Sequence, residues 1–219
     1  MTRDELPPSL ALDHLVLAGA DLVRACEAFA DRTGVAPAPG GPHEGLGTQN
    51  ALARLGDGLY VELIVPDPAT STDRNLGGLL ATFEGLQLFA WGLRTGDLPR
   101  LARALDRHGT STSPIAETSR RQPDGTPLVW DLMGLPGLGG AWPFFIDWRD
   151  CDHPSRTAPQ AGTLLSFEAS LSAPDAVDLP FAAVPGVRLE SGPPRLALTI
   201  ETQRGDVTWS TEAPRGFYG

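Results

Sequence analysis

Glu62 is the only charge within the apolar run 59–65 (LYVELIV). A carboxylate buried there without a partner would be costly, so it calls for a histidine, an amide, a cation or a ligand. His14 lies in a similar run, residues 12–18 (LDHLVLA). An imidazole beside a carboxylate is an acid–base pair, and the carboxylate fixes which ring nitrogen carries the proton. His43 and Asn50 flank the segment HEGLGTQN. Either they line a cavity, with Asn50 orienting a substrate carbonyl, or the glycines shape a tight turn and Asn50 satisfies buried backbone groups. The glycine spacing is not that of a phosphate loop, because no Lys-Ser/Thr follows and no helix begins there.

The aromatic side chains Trp91, Trp130, Trp142, Phe144, Phe145 and Trp148 are either core or the walls of an apolar ligand pocket, with Trp91, Trp130 and Phe145 the foremost ligand candidates. Arg94, Arg120 and Arg121 are candidate carboxylate anchors. His108 suits a helix end. His153 and Cys151 fall in a loop, and no nucleophilic triad is visible, since Ser166 and Ser170 lack an elbow context.

These residues need elements to position them. Residues 12–18 read as a strand. Asp21 caps a helix over 22–33, which Gly34 ends. A Pro/Gly-rich connector leads to a hairpin, 48–55 and 59–65, turning at Gly56-Asp57-Gly58. Residues 67–85 read as a linker. The order then recurs: strand 86–94, an Asp97-capped helix 98–108 ended by Gly109, strands around 113–119 and 128–133, the second after the turn Pro123-Asp124-Gly125, and strand 142–148. This implies a duplicated βαβββ unit, residues 10–67 and 86–149 within a domain of residues 10–150. Short strands follow within residues 160–212, a β-rich extension packed on that domain. Period two places Leu12, His14 and Val16 on one strand face, and Tyr60, Glu62 and Ile64 on one face of another.

The chain has 219 residues, 41% of them hydrophobic, with a formal net charge of −10. That balance argues against nucleic acid or an anionic membrane as partner. No run is long enough to span a bilayer and no signal peptide is evident, so a cytoplasmic location is expected. Cys26 and Cys151 form no metal-type pair and no disulfide framework. Cys26 is expected to be a small buried side chain in the first helix.

Two βαβββ units opening on Asp13-His14-Leu15-Val16 resemble the vicinal oxygen chelate superfamily, and in particular its glyoxalase-like branch, found mostly in bacteria. His43, Gly45, Gly47, Thr48, Asn50, Tyr60-Val61-Glu62-Leu63, Pro123-Asp124-Gly125 with Trp130, and Phe144-Phe145-Ile146 complete the likeness. It covers about residues 12–148. The resemblance implies an α+β fold, tandem βαβββ units forming a cupped mixed sheet around a shared cavity, with a β-rich C-terminal addition. In relatives the fold often pairs between chains, which implies a homodimer.

In metal-dependent relatives each unit supplies one ligand from its first strand and one from its last. His14 and Glu62 match the first-unit positions, and such a pair suits a divalent cation such as Zn, Ni, Mn or Fe(II). The second unit departs from the pattern. Ala90 falls opposite His14, and either Ile146 or Asp147 falls opposite Glu62, depending on a one-residue register choice. Two functions remain open, beside a purely structural dimer-forming role that leaves Glu62 unexplained. One is an enzyme, a lyase or isomerase abstracting a proton beside the carbonyl of a small metabolite with Glu62 and His14. The other is a metal-free module that binds or sequesters a small molecule.

Overall fold

The computed structural model describes residues 7–70, 75–122, 124–172 and 179–217. Its first part runs β1 (Ala11–Ala18), α1 (Leu22–Thr33), β2 (Ala38–His43), β3 (Thr48–Gly56) and β4 (Leu59–Pro66). A short helix α2 (Leu76–Leu80) intervenes. The order then repeats as β5 (Gln87–Arg94), α3 (Leu98–Arg107), β6 (Ala116–Arg121), β7 (Pro127–Met133) and β8 (Phe144–Asp147). The two βαβββ units are therefore both present. Their helices begin alike: Asp21 accepts from the Arg24 N–H at 2.9 Å, and Asp97 from the Arg100 N–H at 2.9 Å. Gly34, at φ 81°, caps α1 in the left-handed conformation.

The cupped sheets meet edge to edge and close into an eight-stranded barrel, in the order β1-β4-β3-β2-β6-β7-β8-β5. β1 and β5 join the units on one side over a long antiparallel ladder. On the other side β2 meets β6 through the single registered pair His43 and Arg120. A four-stranded sheet, β10-β9-β11-β12, follows a 3-10 turn at Pro154–Arg156 and consists of β9 (Thr163–Leu171), β10 (Arg188–Ser191), β11 (Arg195–Thr202) and β12 (Gly205–Glu212). It shares one continuous apolar core with the outer face of the barrel, where Phe167 meets Trp91 at 5.1 Å and Trp209 stacks on Phe29 at 5.8 Å.

Five local expectations are corrected. The Pro/Gly-rich connector is strand β2: Ala38–His43 pairs antiparallel with β3. Its glycines permit this, because a Cβ on Gly40 would lie 2.0 Å from the Asn50 side chain and one on Gly41 2.0 Å from the Arg121 carbonyl oxygen. The linker 67–85 contains α2, capped by Asn75. Leu12 leaves the face it was expected to share with His14, since the β1–β5 register shifts between Leu12 and His14, and Leu12 joins the outer core. The strand expected at 113–119 begins at Ala116. Of the turn Pro123-Asp124-Gly125, Pro123 lies outside the described residues. Cys26 is only half-buried against the core.

Candidate active site

The barrel interior holds a cavity of about 200 Å³. His14, Tyr60 and Glu62 reach it from β1 and β4, and Asn50 and His43 from β3 and β2. The opposite wall is mostly apolar, with Trp130 and Leu132 from β7 and Phe144 and Ile146 from β8. Trp148 and Phe217 complete it.

Strand pairing explains the cluster. β1 and β4 run parallel, with His14 beside Tyr60 and Val16 beside Glu62, so alternation turns His14, Tyr60 and Glu62 the same way. The His14 ring stacks on Tyr60, centroids 4.7 Å apart. β3 lies antiparallel to β4 with Asn50 opposite Ile64, which brings its amide to the carboxylate.

Asp13 organises the His14 side. It is fully buried, yet it accepts from His14 Nδ1 at 2.7 Å, from His153 Nε2 at 2.9 Å and from Trp148 Nε1 at 3.0 Å. Burial pushes its pKa up, but the hydrogen bonds and charges of the two imidazoles outweigh burial and hold it well below the usual carboxylate range. An ionised Asp13 can only accept, so His14 carries its proton on Nδ1. The other nitrogen, Nε2, faces Glu62 Oε2 at 3.6 Å.

Asn50 organises the Glu62 side. Its Nδ2 donates to Glu62 Oε1 at 2.6 Å and lies 3.1 Å from His43 Nε2. A carboxylate offers no hydrogen, which sets the orientation of the amide and makes His43 Nε2 an acceptor. His43 Nδ1–H then donates to Thr48 Oγ1 at 2.8 Å. Burial lowers the His43 pKa, with the Glu62 charge opposing and those of Arg120 and His14 adding to the fall, which suits the neutral ring this network requires. Tyr60 is pushed well up by burial and by the Asp13 and Glu62 charges, so it remains a neutral phenol.

Of the side chains expected at the ligand, His14, His43, Asn50, Glu62 and Trp130 line the cavity. Trp91 and Phe145 do not. Both are fully buried in the outer core, and the Trp91 indole N–H donates to the Ala141 carbonyl at 2.8 Å. Asp13, Tyr60 and His153 are brought to the site by the fold. Asp13 had a signal, because it is a second charge inside an apolar strand and the cost of burying Glu62 applies to it equally.

The model of the glyoxalase-like domain matches residues 12–184. The chain belongs to that family. No curated protein matches the chain. Among solved structures, a hypothetical protein from Staphylococcus aureus is similar at 16% identity, covering 95% of this chain and 89% of that one, with a TM-score of 0.61. Methylmalonyl-CoA epimerase from Mycobacterium tuberculosis is similar over 67% of this chain and 91% of that one, at 22% identity and a TM-score of 0.44. The Streptomyces coelicolor enzyme of that name, in complex with 2-nitronate-propionyl-CoA, gives 21% identity over 67% and 100%, with a TM-score of 0.48. At these identities the likeness concerns the fold.

Divalent metals are common in the vicinal oxygen chelate superfamily, and the donor set here tests whether one fits. Ile146 lines the cavity, while Asp147 turns away and accepts the Arg149 backbone N–H at 2.8 Å. The second-unit positions are thus Ala90 and Ile146, and neither side chain can ligate. On Glu62, Oε1 is already taken by Asn50. Among the described residues no group of three or more His, Cys, Asp or Glu is arranged to hold a metal ion. The side chains present do not fit the four-ligand site. No helix of the described residues is long and apolar enough to cross a membrane.

Proposed function

We propose that this glyoxalase-like protein binds a small carbonyl-bearing metabolite in the barrel cavity and moves a proton at the carbon beside its carbonyl, as an isomerase or lyase. The observation that carries this reading is the chain Asp13–His14–Glu62. Asp13 holds the Nδ1 proton of His14, which leaves Nε2 as the ring nitrogen that can exchange a proton on the Glu62 side. Glu62 Oε2 stands 3.6 Å away as a second proton acceptor. Two acceptors that share one wall can take a proton and pass it on within the same site.

Their spacing also favours a stereochemical course. A base works at roughly 3–3.5 Å from the reacting atom, so two bases flanking one carbon from opposite faces stand about 6 Å or more apart. The 3.6 Å between His14 Nε2 and Glu62 Oε2 is too short for that. The pair suits removal and return on one face, which means a shift across an enol or an elimination and not inversion between two bases.

The test is deuterium uptake from D2O, followed by proton NMR on small 2-oxo acids and 2-hydroxy aldehydes. Uptake should fall by about 10²–10⁴-fold in Glu62→Gln and His14→Gln if the pair is the general base. The apolar opposite wall favours a second reading, binding without turnover. A saturable tryptophan-fluorescence change with no uptake in the wild-type protein would establish that reading and end the first.

A further inference from the structure

Arg120 is 5% exposed and lines the same cavity. It is the inward residue of β6, whose neighbours Ser119 and Arg121 are more exposed. Among the described residues its guanidinium makes one hydrogen bond, from Nη1 to the Gly40 carbonyl oxygen, and it forms no ion pair with the cavity carboxylate, Glu62, which faces His14 and His43. A guanidinium carries five N–H donors and stays charged in proteins, so most of its donors are left for whatever occupies the cavity. Burial lowers its pKa, while the Tyr60 and Glu62 side chains pull the other way. The cavity therefore pairs a carboxylate and imidazole base cluster with a buried cation that has one hydrogen bond and no ion pair.

We propose that Arg120 grips a carboxylate of the substrate, so that the ligand is a small organic acid whose acidic C–H is presented to His14 and Glu62. The inference rests on the cavity being the substrate site. A fork of N–H donors matches a carboxylate with two parallel bonds, which fixes orientation as well as charge. Leu132, Ile146 and Trp130 contact the remaining carbon skeleton and offer nothing to a second charge. Arg94, a half-buried arginine near the site, is committed to the Leu12 and Gly58 carbonyls and to Asp13, and Arg121 is exposed beside Glu44.

Binding is read by the fluorescence of Trp130 and Trp148 on the cavity wall, with pyruvate, 2-oxobutyrate and acetoacetate as probes, each beside its methyl ester. At least one carboxylate should bind wild-type protein tenfold or more tightly than its ester, and Arg120→Gln should remove that preference while Arg120→Lys keeps part of it. Equal binding of acid and ester, or no carboxylate binding at millimolar concentration, overturns the proposal on wild-type protein alone, whether or not the variants fold. Deuterium uptake into the same probes separates the two readings. Carboxylate-selective binding without uptake leaves the anion site standing and removes the proton-transfer function. Uptake without carboxylate selectivity does the reverse.

Discussion

Replacing Asp13 with Asn changes one atom type and removes the acceptor on which the His14 side depends. Asp13 takes three N–H groups, from His14, His153 and Trp148. In the variant one oxygen becomes an NH2 that can only donate, so one of the two imidazoles must lose its bond or change tautomer. A hydrogen bond to a charged group is worth about 1.5–3 kcal/mol, and breaking a buried charged pair costs roughly 3–5 kcal/mol. We expect a loss at the upper of these ranges, or roughly 6–20 °C in melting temperature at about 2–4 °C per kcal/mol for a chain of this size. The loss depends on pH with a definite sign. Asp13 titrates below its ordinary 3.8 when folded, so its contribution is complete above that pH and fades as the pH falls further. Urea unfolding at pH 7 and pH 3 measures both effects. Nitrogen-15 NMR of His14 measures the tautomer, which should move from Nδ1–H toward Nε2–H. A stability loss under about 1 kcal/mol with His14 unchanged would refute the role assigned to Asp13, because a buried charged acceptor cannot be lost so cheaply.

Two further outcomes follow from the same structure. His43 is buried and its pKa is lowered from 6.5, so the unfolded chain takes up that proton first; stability should fall as the pH drops below 6.5, by at most about 1.4 kcal/mol per pH unit, and His43→Gln should flatten the profile seen by calorimetry. Trp91→Phe should cost about 1–3 kcal/mol through the lost bond to Ala141 and contact with Phe167, while leaving probe binding within about twofold; a large binding defect in a folded variant would return Trp91 to the site.

The sequence made the first unit legible because its signals are local. Asp21, Gly34 and the Gly56-Asp57-Gly58 turn mark element ends by backbone chemistry, and the apolar runs around His14 and Glu62 mark two strands. β2 was hidden because Pro39, Gly40, Gly41 and Pro42 disfavour a strand; its pairing depends on β3 and on the room the glycines leave. Trp91 and Phe145 are ambiguous for a different reason. β5 is buried on both faces, one toward the barrel interior and one toward the second sheet, so alternation cannot say which face is the cavity. His153 and Trp148 reach Asp13 across 140 and 135 residues, and no local pattern carries such a contact.

The narrow join between β2 and β6 has a consequence for binding. The pair that closes the barrel there is His43 and Arg120, and both side chains also face the cavity. The seam is a clasp, and both its halves line the cavity. A carboxylate held by Arg120 while its skeleton rests against the His43 side would staple the clasp shut, so occupancy and closure reinforce each other by linkage. Slower hydrogen exchange at the Glu44 amide, which donates to the Ser119 carbonyl across the seam at 3.2 Å, on adding a bound acid would record that coupling, and an unchanged rate would show the seam to be indifferent to the ligand.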